Sequence, residues 1–171
     1  MASSLQNLST YDENSVSDAV DMSFGIVVAE WHGQITGALY QGCYDTLIRH
    51  GAKPENIHTA QVPGSFELPV GAQMLAAHRN PDAIICLGCV IQGETRHNEY
   101  INMAVANALT NLGIATGKPF IFGLLTPNDE QQALDRAGGK HGNKGIEAAV
   151  TAIRMATLKR SLAGSKPRIG F

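Results

Sequence analysis

Strand-like apolar runs alternate with segments of helical periodicity along most of this chain, and this alternation limits the fold more than any other feature. Residues 23–30 are apolar almost throughout, which is typical of a strand that is covered on both faces. Further strands are predicted at residues 57–62, 83–91 and 119–125. The chain therefore has the elements of a buried sheet.

The segments between and after these runs predict helices. After the third strand, apolar or small residues follow Ile101 at offsets of 3, 4, 7, 8 and 11, which places them on one helical face. Other helices are predicted at about 35–50, 66–78, 129–137 and 145–162. Alternation with short connections implies right-handed crossovers, so the predicted fold is a flavodoxin-like, three-layer α/β/α sandwich with a central parallel sheet.

A chain of 171 residues with 44% hydrophobic content is long enough for one ordinary domain. We expect that domain to cover residues 22–164. The Ser-, Asn- and Asp-rich residues 1–21 predict a flexible N-terminal segment, part of which could pair with a sheet edge on another subunit. Residues 165–171 form a predicted C-terminal tail.

Charge and hydropathy argue against some classes of binding partner and some cellular locations. The net charge of −2 gives no general case for binding nucleic acid or a membrane surface. No window approaches the roughly 18 apolar residues of a membrane span. Residues 1–48 contain no Lys or Arg, unlike a secretory signal or a transit peptide. The prediction is a cytoplasmic protein.

The three cysteines are in apolar contexts, which suits reduced core residues. Cys86 and Cys89 form a CxxC pattern, but it lies inside a predicted strand, where positions three apart point to opposite faces. No second cysteine pair completes a zinc site. No metal site is therefore expected.

Residues 87–100 combine a buried strand, the turn Gly93-Glu94-Thr95 and the start of a helix that carries His97. Free N–H groups and the helix dipole make such a turn an anion site, with Thr95 as a good N-cap. The dipole also disfavours imidazolium, so a neutral His97 could exchange a proton in either direction. The alternative is a solvent-exposed histidine without a role in chemistry.

Ligands of parallel sheets bind beyond the carboxyl ends of the strands. Residues 30–32, 63–67 and 92–97 should converge there. Trp31, the only tryptophan, could stack on a flat heterocycle or close the end of the core, and the same choice applies to Phe66 and Phe122. For His32 and the other four histidines, surface or capping roles are expected.

Residues 136–145, RAGGKHGNKG, carry three cations and four glycines between two helices. Such a segment can hold phosphate through backbone N–H groups and a guanidinium, or it can be a flexible turn with solvated charges. It matches neither the Walker pattern nor GxGxxG, so a nucleotide site is not indicated.

In this order, the segments resemble the lumazine synthase family from about residue 24 to residue 162. The most specific matches are VPGSFELP at 62–69, GCVIQGETRHNEY at 88–100, FIFGLL at 120–125 and DRAGGKHGNKG at 135–145. The resemblance implies condensation of 5-amino-6-(D-ribitylamino)uracil with 3,4-dihydroxy-2-butanone 4-phosphate. The product is 6,7-dimethyl-8-ribityllumazine, and the family uses no metal or organic cofactor.

The resemblance also implies a role for each matching residue. Trp31 corresponds to the aromatic that stacks on the pyrimidine, and Phe122 to an aromatic from the neighbouring subunit. The loop that holds the ring and the ribityl chain corresponds to Ser65, Phe66 and Glu67, and the strand end that lines the pyrimidine pocket to Cys89, Val90 and Ile91.

His97 corresponds to the proton-transfer residue of the family. Phosphate binding is implied for the turn residues Glu94 and Thr95, for Arg136 and for Lys140. Two positions depart from the commonest pattern: Glu94 stands where a small residue is frequent, and His32 stands where Asn is frequent. A carboxylate at Glu94 would repel phosphate unless it turns outward, so its backbone N–H is the expected contact.

Family members assemble as pentamers with active sites between subunits, and some pentamers close into icosahedral shells. The turn GGKHGNKG resembles the shell-forming type, so we expect an icosahedral capsid of pentamers, with a riboflavin synthase as a candidate partner. Two alternatives are a non-catalytic flavin- or lumazine-binding protein and a mainly structural shell protein. A flavodoxin-like electron carrier fits least, because its phosphate loop should follow the first strand.

Overall fold

A computed structural model describes residues 7–164; the predicted tail at 165–171 and residues 1–6 lie outside the described residues. Four parallel strands form the central sheet in the order β2-β1-β3-β4. They are β1 (Phe24–Ala29), β2 (Ile57–Val62), β3 (Ala83–Cys89) and β4 (Phe120–Leu125). All four predicted strands are present, and β2 has the predicted ends.

Helices follow the strands as the periodicity predicts. They are α1 (Gly33–Arg49), α2 (Leu68–Arg79), α3 (His97–Thr116), α4 (Glu130–Leu134) and α5 (Lys144–Gly164). Helix α4 is shorter than predicted. Residues after it form an antiparallel hairpin of β5 (Ala137–Gly139) and β6 (Gly142–Asn143), which the sequence did not predict.

The sheet is covered on both faces, as continuous apolar strands require. Helices α1 and α5 pack on one face, where Phe24, Ile26 and Val28 of β1 point. Helices α2 and α3 pack on the other, where Val27 and Ala29 point. The fold is thus the predicted flavodoxin-like, three-layer α/β/α sandwich.

Cys86 and Cys89 lie in the cores on opposite faces of the sheet, as the strand periodicity predicts. Both are free and buried, as is Cys43. Burial raises the pKa of the Cys43 and Cys86 thiols well above the usual range. These two side chains therefore act as small apolar core residues.

Residues 7–21, the described part of the N-terminal segment, contact the rest of the domain. The Leu8 N–H donates to the His141 carbonyl at 2.7 Å, and the Tyr11 hydroxyl lies 3.0 Å from His50 Nε2. Val16 and Ala19 are buried against the α1–α5 face. The polar composition of the segment did not indicate that these two residues would be buried. Their burial removes apolar surface from water, which favours the packed position of the segment.

Across residues 7–164, the helices are all too short or too polar to cross a membrane.

Candidate active site

The three segments predicted to converge do meet at one edge of the sheet. Because β1, β2 and β3 are parallel neighbours, the residues that follow them lie side by side. Between these segments and the start of α3 is a cleft of about 390 Å³. Eight predicted site residues line it: Trp31, Ser65, Phe66, Glu67, Cys89, Val90, Ile91 and His97.

Two aromatic side chains stand at the cleft with most of their surface exposed. Trp31 is 69% exposed and Phe66 is 59% exposed. Neither ring closes the core of the chain, and stacking stays the prediction for both. Exposed rings at a concave site are suited to stacking on a flat heterocycle.

Ser65 ties the segment after β2 to the end of β3. It is buried, and its Oγ donates to the Cys89 carbonyl at 3.5 Å, a long hydrogen bond. Burial raises the pKa of the Cys89 thiol to about 11, so this thiol stays protonated near neutral pH. Cys89 therefore contributes shape to the cleft rather than a nucleophile.

His97 is the first residue of α3 and is exposed to solvent in the cleft. The N-cap of α3 is Arg96, so the prediction of Thr95 as N-cap is wrong. The Arg96 carbonyl accepts from the N–H groups of Glu99 and Tyr100, and no side chain caps the helix. The first N–H groups of α3 thus have no side-chain acceptor at the cap, and His97 stands at the positive end of the helix dipole.

The remaining predicted site residues do not line this cleft: Phe122, Glu94, Thr95, Arg136 and Lys140. Glu94 and Thr95 are exposed in the turn before α3, on the chain immediately before His97. Phe122 is 37% exposed on β4, the strand at the edge of the sheet. A single chain therefore brings eight of the thirteen predicted site residues into the cleft, without Phe122 and without the residues predicted to bind phosphate.

Arg136 and Lys140 belong to the segment between α4 and α5. The Arg136 guanidinium donates to the Gln132 carbonyl at 3.0 Å, and Lys140 is exposed between the two hairpin strands. The hairpin is held by the His141 N–H bond to the Asp135 carbonyl, at 2.7 Å. Gly138 and Gly142 have φ angles of 116° and 79°, which only glycine adopts readily. The segment is an ordered hairpin, not the flexible turn of the alternative reading.

Three residues of the cleft were not predicted as site residues: His32, Gly64 and Ile101. His32 is exposed and is the N-cap of α1 through its backbone carbonyl, as expected, but its side chain makes no capping bond. Its position directly after β1 could have indicated a place in the site, because the residues that follow the strands form the cleft. No cluster of three or more His, Cys, Asp or Glu residues within 7–164 could hold a metal ion.

Residues 21–160 match the sequence model of a family described as 6,7-dimethyl-8-ribityllumazine synthase. The chain belongs to this family. A protein of the same name from Parabacteroides distasonis is 56% identical over 155 residues, which cover 91% of this chain and 97% of the relative. A relative from Cytophaga hutchinsonii is 52% identical over 155 residues, with the same coverage.

A third relative of the same name, from Flavobacterium johnsoniae, matches nearly the whole chain. It is 46% identical over 167 residues, which cover 98% of this chain and 88% of the relative. Lumazine synthases are transferases that catalyse the penultimate step of riboflavin biosynthesis. The resemblance drawn from the four motifs is thereby confirmed.

Proposed function

We propose that this chain catalyses the family's reaction, the condensation of 5-amino-6-(D-ribitylamino)uracil with 3,4-dihydroxy-2-butanone 4-phosphate, with loss of phosphate and water. The observation that carries the proposal is the cleft in which eight predicted site residues meet. Exposed rings of Trp31 and Phe66 there are available to frame the pyrimidine, beside the titratable ring of His97.

The chemistry asks for orientation and proton transfer. An amine attacks a ketone, phosphate leaves, an enol rearranges and a ring closes, and each step moves protons. Histidine is suited to both directions of transfer near neutral pH. We assign the proton transfers to His97, because it is the first residue of α3 and lines the same cleft as the two aromatic rings. No step in this sequence requires a metal or an organic cofactor.

Phosphate binding is assigned to the Glu94-Thr95 turn, Arg136 and Lys140. The backbone N–H groups at the start of α3 and a guanidinium are both suited to a phosphate that gains charge as it departs. The Glu94 side chain is exposed and outside the cleft lining, which leaves its backbone available for the anion.

The position of the basic residues supports a site shared between two chains. Within one chain, the cleft is formed by residues that follow β1, β2 and β3. Phe122 lies on β4, at one edge of the sheet, and Arg136 and Lys140 come after that strand. A second copy whose β4 side meets the cleft supplies them. Such a contact joins two different surfaces, and contacts of this kind close into rings when the rotation allows.

We therefore propose a homo-oligomer, a pentamer whose copies assemble into an icosahedral shell, with a riboflavin synthase as its protein partner. Free cysteines throughout the described residues support a reducing compartment, the cytoplasm. A mass measurement that found only pentamers would contradict the shell and leave the shared site intact.

The proposed reaction is tested by mixing the purified protein with both substrates and following the absorbance of the lumazine. The uncatalysed reaction is measured separately and subtracted. Acceleration is the expected result. Its absence, together with tight binding of flavin or lumazine, would place the chain with the non-catalytic binding proteins.

Mixed oligomers test the shared site. Subunits with His97→Ala and subunits with Arg136→Ala are refolded together in equal amounts. If each site joins two chains in a ring, about a quarter of the sites combine an intact cleft with an intact arginine, and activity returns to about that fraction. A site within one chain would show no recovery over the separate variants.

A further inference from the structure

His32 is held in a backbone conformation that non-glycine residues rarely adopt. Its φ and ψ are 58° and 48°, in the left-handed region. Within residues 7–164 the other non-glycine residue with positive φ is Asn80, which ends α2 as its C-cap. Left-handed conformation disfavours a residue with a Cβ by about 1 kcal/mol or more, and such residues concentrate at functional sites.

The backbone of His32 begins α1, but its side chain takes no part in capping that helix. The His32 carbonyl accepts from the N–H groups of Ile35 and Thr36, at 2.8 and 3.0 Å, and so begins α1. The imidazole makes no capping bond and instead lines the cleft. Its orientation therefore needs an explanation outside helix capping.

The imidazole contacts the indole of Trp31. The ring centroids are 6.3 Å apart and the planes are inclined by 66°, a tilted arrangement in the range that favours aromatic pairs. Among the ring contacts of the described residues, this is the one that Trp31 makes. An indole that is 69% exposed has few other contacts to fix its orientation.

Gly64 lies beside the indole of Trp31. A Cβ at that position would lie 3.7 Å from Trp31 Cδ1 and 3.0 Å from the Glu67 carboxylate. The absent side chain keeps the space between the indole and this carboxylate open. Trp31 thus contacts the His32 ring and also lies beside a space in the cleft that no side chain fills.

We propose that His32 is a positioning residue, whose imidazole holds the Trp31 indole as a preformed wall for stacking a flat heterocycle. The role in substrate binding rests on the proposed function, whereas the contact between the two rings does not. A preformed wall loses less conformational entropy when the ligand stacks, so His32 acts on affinity rather than on the chemical step.

The contact can be measured directly, because Trp31 is the only tryptophan of the chain. Imidazolium accepts indole electron density and quenches its emission, so Trp31 fluorescence should fall as pH decreases through the titration of histidine. Glu30 on the same loop, Glu67 after β2 and His97 on α3 are the other titratable groups beside this ring pair. The His97→Gln variant below separates the two histidines.

The experiment compares the full-length protein with His32→Asn, because Asn tolerates the left-handed region and keeps α1 in place. We expect His32→Asn to lose most of the pH-dependent step in emission, while His97→Gln and His78→Gln keep it. Riboflavin, as a flat heterocyclic probe, should bind His32→Asn about three- to tenfold more weakly. In turnover, KM for the pyrimidine substrate should rise by the same factor, with kcat within about twofold.

The outcomes separate this role from the proposed reaction. A step that persists in both His32→Asn and His32→Gly, or that disappears in His97→Gln instead, would overturn the proposal even if turnover is normal. If the protein does not accelerate the condensation but the step depends on His32, the reaction fails and the ring contact stands. Riboflavin affinity unchanged in both His32 variants would refute the positioning role.

Discussion

The two faces of the central sheet are covered to different degrees. Among residues 7–164, the core beneath α1 and α5 contains 25 buried apolar residues, and the core beneath α2 and α3 contains 11. The first layer also receives the N-terminal segment and α4, while the second layer consists of two helices. The α1–α5 face therefore has the larger core and the α2–α3 layer is thin, although α5 also exposes Leu158 and Leu162.

Exposed apolar side chains lie on the outer side of the thin layer. Large examples on α2 and α3 are Val70, Met74, Tyr100, Met103 and Ile114, each more than half exposed. Exposed apolar surface of this kind marks a surface that binds another protein. The cleft adjoins the same layer, since Phe66 precedes α2 and His97 begins α3. The proposed chemistry thus lies next to the surface that the proposed oligomer would cover.

The largest expected effect concerns chemistry on the thin layer. His97→Ala should lower kcat by about 10²- to 10⁴-fold, the usual contribution of a positioned acid or base, with phosphate affinity mostly retained. Because His97 is exposed, the free energy of unfolding should change by less than about 0.5 kcal/mol. Steady-state rates and urea denaturation measure the two quantities. His78→Ala, an exposed histidine at the end of α2, is the matched control, and equal rates in the wild type and His97→Ala would remove the proton-transfer role.

A pair of truncations compares the two faces directly. Leu39→Ala on α1 should lower the free energy of unfolding by about 2–5 kcal/mol, because Leu39 is fully buried. Met74→Ala on α2 should lower it by less than about 0.5 kcal/mol in the single chain, because Met74 is 67% exposed.

Denaturation of both variants at a concentration low enough for single chains makes this measurement. Sedimentation at higher concentration should show weaker association of Met74→Ala but not of a matched exposed variant on α1, Gln41→Ala. Equal losses of stability from Leu39→Ala and Met74→Ala would mean that the α2 face is covered within one chain.

Arg136→Ala tests the basic residues that lie apart from the cleft. Removing a guanidinium that binds phosphate should raise KM for the butanone phosphate by about 10- to 100-fold and weaken inhibition by inorganic phosphate. Riboflavin binding in the cleft should be less affected. Lys159→Ala, an exposed cation on α5, serves as the control for a simple loss of charge. An unchanged KM would exclude Arg136 from the phosphate site.

The smallest expected effect concerns Asp82, which directly precedes β3 and pairs with Arg160 of α5. Partial burial acts to raise the pKa of Asp82, but hydrogen bonds from Ser23 and the Arg160 guanidinium outweigh it and hold the pKa below its usual value. A lowered pKa in the fold adds stability above the unfolded value, near 4, and that stability is lost as pH falls through the folded pKa.

Asp82→Asn should therefore cost about 1 kcal/mol at pH 7, since the ion pair is partly exposed, and the difference from the wild type should shrink below about pH 4. Denaturation midpoints across pH measure this. A constant difference at every pH would show that the loss comes from packing rather than from charge.

Much of the fold could be predicted because its signals are local. The alternation of strand and helix patterns predicted the sheet, both helical layers and the edge at which residues 30–32, 63–67 and 92–97 meet. The same periodicity placed Cys86 and Cys89 on opposite faces. These predictions depend on spacing along the chain, which the backbone geometry of helices and strands translates directly into direction.

Other features were decided by tertiary structure. Arg96 rather than Thr95 caps α3, residues 137–143 form a hairpin, and Val16 and Ala19 anchor a segment of polar composition. His32 has a left-handed backbone, lines the cleft and contacts the Trp31 ring. Each outcome depends on contacts between residues far apart in sequence or on a backbone conformation that composition does not reveal.

By itself, the sequence determined the layers, the order of the elements and which segments meet beyond the strand ends, because these follow from periodicity. The tertiary structure alone decided that Arg136 and Lys140 lie outside the cleft and that the α2–α3 face keeps exposed apolar side chains. The physical reason is that burial depends on what covers a surface. A pattern along one chain specifies which side of an element is apolar, whereas the packed fold decides how much of that side stays open for a second copy.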